Sequence, residues 1–178
     1  MEQAKLEKVK SVIRDVPDFP SRGILFRDLT TLFKDAEALA IISDELRAMY
    51  AGKGITKVVG IEARGFVGAS ILAHDLKAGF VPMRKPGKLP ADTIKLTYNK
   101  EYGTDTIEIH SDAITPDDIV VIHDDVLATG GTMKAAYDLV KSCNPKKIYI
   151  NFIVELSALN GRRLFEDSDI DMQSVLVY

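Results

Sequence analysis

The sequence has little cysteine and no long apolar run. Cys143 is the single cysteine among 178 residues, so no internal disulfide framework can form, which fits a reducing compartment. No stretch approaches the roughly 20 apolar residues of a transmembrane helix. Residues 1–8 are charged and lack the apolar core of a secretory signal. These absences exclude a secreted disulfide-rich scaffold and predict a cytoplasmic protein that does not enter the membrane.

An excess of charge of either sign is also missing. The formal net charge is −3 and the sequence pI is about 5.6, so bulk electrostatics give no reason to expect a nucleic acid or anionic membrane partner. With 46% hydrophobic residues, the chain can bury a core that needs no structural metal. His74 and His110 show no metal-ligand spacing with each other or with Cys143. We therefore expect one domain, 1–178, with no metal site built from protein ligands alone.

Strand and helix patterns alternate along most of the chain, as expected for an α/β fold. Parallel strands joined by helices require right-handed crossovers, so a central, mainly parallel sheet flanked by helices is predicted. Asp35 is the expected N-cap of the second helix, with a buried stripe of Leu39, Ile42, Leu46 and Met49. The predicted segments are helix 2–14, loop 16–23, helix 36–50, strand 57–61, helix 66–76, strand 79–83, hairpin strands 93–98 and 105–110, strand 119–123, helix 133–142 and strand 147–153.

Residues 119–132 carry the most specific signal. An apolar run, 119–122, leads to His123 and two adjacent carboxylates, Asp124 and Asp125; a small-residue loop, 128–132, then precedes the predicted helix. Glycine lets the backbone approach an anion closely, and the N–H groups at a helix start can bind phosphate. The carboxylates could accept hydrogen bonds from vicinal sugar hydroxyls if the strand ends there. A polar turn with glycine for geometry alone is the alternative.

Two further loops follow predicted strands and would lie at the same edge of the sheet. One is 62–66, Glu-Ala-Arg-Gly-Phe, and the other is 84–88, Arg-Lys-Pro-Gly-Lys, with three cations in five residues. Each taken alone is compatible with a solvated surface turn. Because ligands bind at the carboxyl ends of strands in such sheets, we expect the loops 62–65, 84–90 and 124–132 to converge on one anionic substrate.

The segment 99–103, Asn-Lys-Glu-Tyr-Gly, is the tip of the predicted hairpin 93–109. A hairpin tip needs no functional explanation. As a flexible lid, however, the hairpin could exclude water from the site, with Glu101 handling a proton and Tyr102 closing over phosphate.

These motifs together resemble the type I phosphoribosyltransferase family and, within it, the adenine phosphoribosyltransferases. Residues 124–132 resemble the ribose-phosphate motif shared by the superfamily. The narrower resemblance rests on Pro17-Asp18-Phe19-Pro20 with 23–28, on 62–66, on 84–90 and on Glu101-Tyr102-Gly103. It runs from about Val16 to about Leu164. It implies the type I phosphoribosyltransferase fold, with an N-terminal base-binding hood at 1–34 and a flexible catalytic hairpin at 93–109.

The resemblance also implies a role for each matching residue. Glu101 would be the catalytic residue. The other implied contacts are Ala128, Thr129, Gly130, Gly131 and Thr132 with the 5′-phosphate, Asp124 and Asp125 with the ribose hydroxyls, Arg64, Arg84, Lys85, Lys88 and Tyr102 with pyrophosphate, and Leu25, Phe26, Arg27 and Val126 with adenine. Two positions depart from the family pattern: His123 replaces an aliphatic residue, and Val126 replaces Leu or Ile.

The implied reaction converts adenine and 5-phosphoribosyl 1-pyrophosphate into AMP and pyrophosphate, with Mg²⁺ carried mainly by the substrate phosphates. The resemblance also implies a homodimer. Two alternatives stay open from the sequence: a phosphoribosyltransferase for another purine base such as xanthine, and a non-catalytic sensor of phosphoribosyl ligands. A sensor that regulates transcription would usually add a DNA-binding domain, and residues 1–15 are too short for one.

Overall fold

A computed structural model of the chain describes residues 1–99 and 103–178. It contains two compact units, Met1–Ala48 and Met49–Tyr178. Among the described residues, no helix is both long enough and apolar enough to cross a bilayer.

The first unit contains helices α1 (Gln3–Val12), α2 (Thr30–Phe33) and most of α3 (Ala36–Tyr50), with strands β1 (Arg14–Pro17) and β2 (Leu25–Asp28). The two strands pair antiparallel, with Arg14 opposite Asp28 and Pro17 opposite Leu25. The predicted loop 16–23 is therefore wrong at its first two residues. Proline is tolerated there because it ends an exposed strand.

Asp35 caps α3 as predicted. Its Oδ1 accepts a hydrogen bond from the Ala38 backbone N–H at 2.9 Å, which satisfies one of the free donors of the first turn. The buried face of the helix differs from the predicted stripe by a small rotation. Ile42 and Leu46 are buried as expected, whereas Leu39 and Met49 are only half-buried. Ala38 and Tyr50 complete the buried stripe at a spacing of four residues.

The second unit is built around one parallel sheet. Its elements in chain order are β3 (Lys57–Ile61), α4 (Gly65–Leu76), β4 (Gly79–Met83), β5 (Thr93–Asn99), β6 (Thr104–His110), β7 (Ile119–Leu127), α5 (Gly131–Ser142), β8 (Lys147–Glu155), two 3₁₀ turns (Ser157–Leu159 and Gly161–Phe165) and β9 (Asp171–Val177). The strand order is β4-β3-β7-β8-β9, and every pairing is parallel. The predicted α/β class and parallel sheet are confirmed.

Apolar residues of the central strands form the core of this unit. Val120, Val121 and Ile122 of β7 are fully buried, because both faces of a parallel sheet are covered. Ile107 and Ile109 of β6 belong to the same apolar cluster as Val120 and Ile122, so the hairpin formed by β5 and β6 is anchored on the core. It is also tied to the end of β4 by reciprocal backbone hydrogen bonds between Arg84 and Glu108, at 2.9 and 2.8 Å. The base of the hairpin is thereby fixed beside the carboxyl ends of the strands.

Strand β7 is longer than predicted. The sequence suggested an end at residue 123, yet the ladder with β8 continues through Asp124–Phe152 and Val126–Val154 to Leu127–Glu155. The expectation that the strand stops before the carboxylates is therefore wrong, because β8 itself extends to Glu155 and supplies partners. Helix α5 begins at Gly131, two residues before the predicted start.

Candidate active site

The carboxyl ends of β3, β4 and β7 border an open cavity of about 390 Å³. The three loops expected to converge all contribute to its wall. The loops give Glu62, Ala63, Arg64, Arg84 and Lys85; β7 gives Asp124 and Asp125; the hairpin gives Tyr98, Asp105 and Ile107; α5 gives Thr132. The strand-end rule for parallel sheets therefore locates the cavity correctly.

A second cavity of about 100 Å³ adjoins the loop between β7 and α5. Residues 126–133 line it, together with Asp124 and Phe152. Asp124 and Thr132 border both cavities, so the two spaces share a wall. The arrangement suits a ligand that presents one anionic group to each cavity and a polar body between them.

The geometry of that loop depends on Gly130. Its φ is +85°, in the left-handed region, and a Cβ there would stand 2.6 Å from the carbonyl oxygen of Gly161. No side-chain hydrogen bond caps α5 among the residues that the structure describes, and its first turn contains no acidic residue. The N–H groups at the start of α5 therefore keep their capacity to bind an anion.

Asp124 and Asp125 lie side by side within β7. Asp125 is paired with Arg64, whose Nε is 2.5 Å from Oδ2 and whose Nη2 is 3.4 Å from Oδ1. The Asp125 backbone N–H donates to Asp124 Oδ1 at 2.9 Å. Burial, reinforced by the charge of Asp125, raises the pKa of Asp124 well above its usual range. Burial also raises the pKa of Asp125 although Arg64 opposes it. The pair would therefore gain from hydroxyl donors or a cation.

Glu62 holds the basic loop in place. Its carboxylate accepts hydrogen bonds from Arg84 Nε at 3.3 Å, from the Lys85 backbone N–H at 3.1 Å and from Lys88 Nζ. Burial pushes the pKa of Glu62 upward, but these donors outweigh it and lower the pKa to about 2. Arg84 and Lys85 border the larger cavity, whereas Lys88 reaches this region through Glu62. Glu62 and Arg64 belong to one loop in the sequence, but in the structure each pairs with a residue from another strand: Glu62 with Arg84 after β4, and Arg64 with Asp125 of β7.

The hairpin adds cavity residues that the sequence did not single out. Tyr98 and Asp105 are opposite one another in the β5–β6 ladder, and both border the larger cavity. The Tyr98 hydroxyl lies 3.1 Å from Thr132 Oγ1. The alternation of β5 could have indicated Tyr98, since Ile94, Leu96 and Tyr98 all pack against the core. Glu101 and Tyr102, predicted to act from the hairpin tip, lie outside the described residues.

The residues predicted to surround adenine belong to different units. Leu25, Phe26 and Arg27 form part of β2 in the first unit, and Val126 belongs to β7 in the second. Leu25 is 48% exposed, and Arg27 forms an ion pair with Asp15. A shared role for these residues in base binding stays a prediction.

His123, the residue that departs from the family pattern, is completely buried. Its Nδ1 lies 2.7 Å from Asn151 Oδ1, so Nδ1 carries the proton and donates. Burial lowers the pKa of His123 to about 4, although Asn151 opposes the shift. Within residues 1–99 and 103–178, Nε2 has no hydrogen-bond partner, and Gly68 leaves the space that the ring occupies. At neutral pH the imidazole is uncharged and adds no positive charge beside Asp124.

In the part of the chain that the structure describes, no group of three or more His, Cys, Asp or Glu side chains could hold a metal ion. Two carboxylates with raised pKa values do border the larger cavity, the half-buried Asp124 and the buried Asp125. Mg²⁺ is commonly held by one or two carboxylates together with substrate phosphates. The residues present therefore fit a divalent cation that arrives with its substrate.

Comparisons with known proteins identify the family and the fold of the chain. The model of the phosphoribosyl transferase domain family matches residues 28–175. The adenine phosphoribosyltransferase of Bacteroides fragilis is 62% identical over 171 residues, which cover 96% of either chain. The crystal structure of the adenine phosphoribosyltransferase from Rhodothermus marinus superposes with a TM-score of 0.92 at 46% identity, over 99% of this chain and 100% of that one. The enzyme from Giardia lamblia, crystallised with 9-deazaadenine, gives a TM-score of 0.92 at 41% identity over 97% of either chain.

Proposed function

The chain belongs to the family of adenine phosphoribosyltransferases, and we propose that its second unit binds 5-phosphoribosyl 1-pyrophosphate across the two adjoining cavities. The reaction transfers the phosphoribosyl group to adenine and gives AMP and pyrophosphate, a step of purine salvage. One observation carries the binding proposal: a small cavity at a helix N-terminus shares Asp124 and Thr132 with a larger cavity that has basic walls. The substrate has a phosphate at one end, a pyrophosphate at the other and hydroxyls between them.

The loop 128–132 binds the 5′-phosphate in this proposal. The first turn of α5 lines the smaller cavity, so its backbone N–H groups would donate to the phosphate, and the helix dipole adds about half a positive charge there. Thr129 and Thr132 add hydroxyl donors. Asp124 and Asp125 then accept hydrogen bonds from the ribose 2′- and 3′-hydroxyls, which stabilises the charged form of the half-buried Asp124 and of the buried Asp125.

The pyrophosphate faces the basic wall of the larger cavity. Arg64, Arg84 and Lys85 border this space, and Lys88 is held beside it by Glu62. Arginine binds phosphate oxygens in a bidentate manner and lysine acts as a point charge. These cations favour departure of pyrophosphate because they neutralise the negative charge that develops on it. Tyr102, outside the described residues, is proposed to add a contact from the hairpin tip.

Departure of pyrophosphate leaves an oxocarbenium-like sugar at C1′, the kind of species met in glycoside hydrolysis. Water must be kept away until N9 of adenine attacks. The hairpin packs on the core through Ile107 and Ile109 and contributes Tyr98, Asp105 and Ile107 to the wall of the larger cavity, so we propose that it shields the sugar during the reaction. Glu101 at its tip is the proposed proton-handling residue.

Mg²⁺ is the proposed cofactor, and the support is the chemistry of the cavity wall. Asp124 and Asp125 are the carboxylates that would face the ion, with most of its ligands supplied by the substrate. When bound, the ion would neutralise charge on the pyrophosphate. The residues of the chain orient the phosphoribosyl group and hold the basic loop around the leaving group.

Leu25, Phe26, Arg27 and Val126 are the proposed adenine contacts. Adenine offers a 6-amino donor and an N1 acceptor, whereas hypoxanthine reverses both groups. A site that pairs backbone groups with adenine would leave buried polar groups unsatisfied with hypoxanthine, which lowers the rate strongly. Base choice would therefore come from hydrogen bonding.

A panel of bases tests the assignment. The purified chain is mixed with 5-phosphoribosyl 1-pyrophosphate, Mg²⁺ and adenine, hypoxanthine, guanine or xanthine, and nucleotide formation is followed by chromatography. Adenine should give AMP at a rate far above those of the other bases. Comparable turnover of hypoxanthine would refute the narrow specificity, and binding of the phosphoribosyl donor without turnover of any base would favour a sensor.

We further propose a homodimer in the cytoplasm. Apolar side chains such as Phe80 on the edge strand β4, 37% exposed, are available for a subunit contact. Cys143 as the single cysteine means that the chain does not depend on an oxidising compartment. Sedimentation equilibrium and cell fractionation test these two proposals separately.

A further inference from the structure

Tyr98 and Thr132 connect the hairpin to the phosphate loop. Tyr98 lies near the end of β5, and Thr132 lies in the first turn of α5, 34 positions further along the chain. Their hydroxyl oxygens are 3.1 Å apart, which is hydrogen-bonding distance. Both residues border the larger cavity, and Thr132 also borders the smaller one. The contact therefore lies where the two cavities meet.

The direction of this hydrogen bond depends on the ligand. Each hydroxyl has one hydrogen and can also accept, so either oxygen can be the donor when the site is empty. A phosphate oxygen at the start of α5 has no hydrogen to donate, so in a hydrogen bond with Thr132 it must be the acceptor. The single hydrogen of Thr132 must then point at the phosphate, so in its contact with Tyr98 the Tyr98 hydroxyl is the donor and the Thr132 oxygen is the acceptor.

We propose that Tyr98 is a positioning residue for the 5′-phosphate and acts through Thr132. In this relay the Tyr98 hydroxyl donates a hydrogen bond to the Thr132 hydroxyl, and the Thr132 hydroxyl donates one to a phosphate oxygen. This inference rests on the proposed function of the two cavities. Consecutive hydrogen bonds polarise one another, so donation by Tyr98 strengthens the donor capacity of Thr132. It also fixes the Thr132 side chain in the rotamer that faces the phosphate.

The relay links phosphate binding to the hairpin. Tyr98 is three residues before Glu101, and its strand ends at Asn99. A bound 5′-phosphate therefore favours the hairpin arrangement in which Tyr98 stays against α5. Pyrophosphate alone or adenine alone does not require a hydrogen bond from Thr132, so neither would favour this arrangement of the hairpin.

The substitution Tyr98→Phe removes the hydroxyl and keeps the ring that packs on the core. Dissociation constants are measured by calorimetry for AMP, adenosine and pyrophosphate. We expect the affinity for AMP to fall by about threefold to tenfold, the usual effect of one hydrogen bond. The affinities for adenosine and pyrophosphate should not change, because neither places a 5′-phosphate at Thr132. Tyr149→Phe, which alters a tyrosine on β8 of the parallel sheet, is the matched control and should leave all three affinities unchanged.

Substitution of Thr132 tests the same contact from its other side. Thr132→Val should lower the affinity for AMP, and adding Tyr98→Phe should then cause no further loss. Thr132→Ser restores a hydroxyl, so Tyr98→Phe should again be costly in that background. Melting temperatures within a few degrees of the unchanged protein confirm that every variant is folded.

Three results would overturn the relay: equal losses for AMP and adenosine, an unchanged AMP affinity in Tyr98→Phe, or a full additional loss in the Thr132→Val background. Equal losses would reveal a purely structural role for Tyr98. Failure of the proposed function would look different, because the unchanged protein would then bind no AMP or make none from adenine.

Discussion

The buried His123 predicts a specific dependence of stability on pH. Its pKa is about 4 in the folded chain against 6.5 in the unfolded chain. A histidine with a lowered pKa in the folded state contributes stability that is fully present above pH 6.5 and is lost as the pH falls toward 4. Between these values the unfolded chain binds a proton at this position and the folded chain does not.

The magnitude follows from proton linkage. Each pH unit in which only the unfolded chain is protonated costs about 1.4 kcal/mol of unfolding free energy. Between pH 7 and pH 5, partial titration near 6.5 leaves a loss of about 2 kcal/mol from His123. The raised pKa values of Asp124 and Asp125 change the unfolding free energy in the opposite direction. The pKa of Glu62, lowered from 4.5 to about 2, affects the unfolding free energy below pH 4.5. A difference between variants is therefore needed to isolate His123.

The assay is urea unfolding at pH 5, 6 and 7 for the unchanged protein and for the double variant His123→Leu with Asn151→Leu. Both partners are replaced because a lone Asn151 would leave a buried acceptor without its donor, at a cost of about 1–3 kcal/mol. The advantage of the unchanged protein over the variant should shrink by about 2 kcal/mol from pH 7 to pH 5. His74→Gln, at a side chain that is 89% exposed, is the control and should keep the original slope. If the unfolding free energies of the unchanged protein and the double variant vary with pH in parallel, the buried His123 is not the source of the pH dependence.

Three further predictions concern the site. Gly130→Ala should lower the unfolding free energy by about 1–3 kcal/mol in urea titrations. The reason is that φ of Gly130 is +85° and the new methyl group would lie 2.6 Å from the carbonyl oxygen of Gly161. Gly131→Ala is the control, because a Cβ at Gly131 meets nothing within 4 Å. Glu101→Ala should lower kcat far more than it weakens binding of the phosphoribosyl donor, measured by steady-state kinetics and calorimetry. Arg84→Gln should weaken pyrophosphate binding by about tenfold or more in calorimetry, because it removes a charged donor from the basic wall.

Each of these predictions has a contrary outcome. Equal stability of Gly130→Ala and Gly131→Ala would show that the left-handed turn is not required. Parallel losses of kcat and donor affinity in Glu101→Ala would argue against a chemical role. Unchanged pyrophosphate affinity in Arg84→Gln, with AMP affinity reduced instead, would move the pyrophosphate away from the basic wall.

The sequence predicted the sheet well because its central strands are buried on both faces. The apolar runs at 58–61 and 119–122 are typical of strands buried in a parallel sheet. β9 was missed because Asp171–Val177 is a half-buried edge strand with polar residues at its start. The order of the strands was not predicted, since it depends on pairing between distant segments.

The site was predicted in part for a similar reason. Loops after parallel strands must meet at one edge, so the convergence of 62–65, 84–90 and 124–132 follows from their positions. The partners within the site do not follow, because they depend on side-chain reach across strands. Arg64 bonds Asp125 and Glu62 bonds Arg84, although Glu62 and Arg64 are near neighbours in sequence. Tyr98 was missed because a tyrosine near a hairpin tip is unremarkable until its distance to Thr132 is known.

A crystal structure of the chain with AMP would locate the nucleotide relative to the two cavities. We expect the 5′-phosphate in the cavity of about 100 Å³, within hydrogen-bonding distance of backbone N–H groups in 129–132, with the ribose hydroxyls on Asp124 and Asp125. Nucleotide density with its phosphate against the basic wall at Arg84, or away from α5 altogether, would show that the phosphoribosyl group does not bind across these cavities in the proposed orientation.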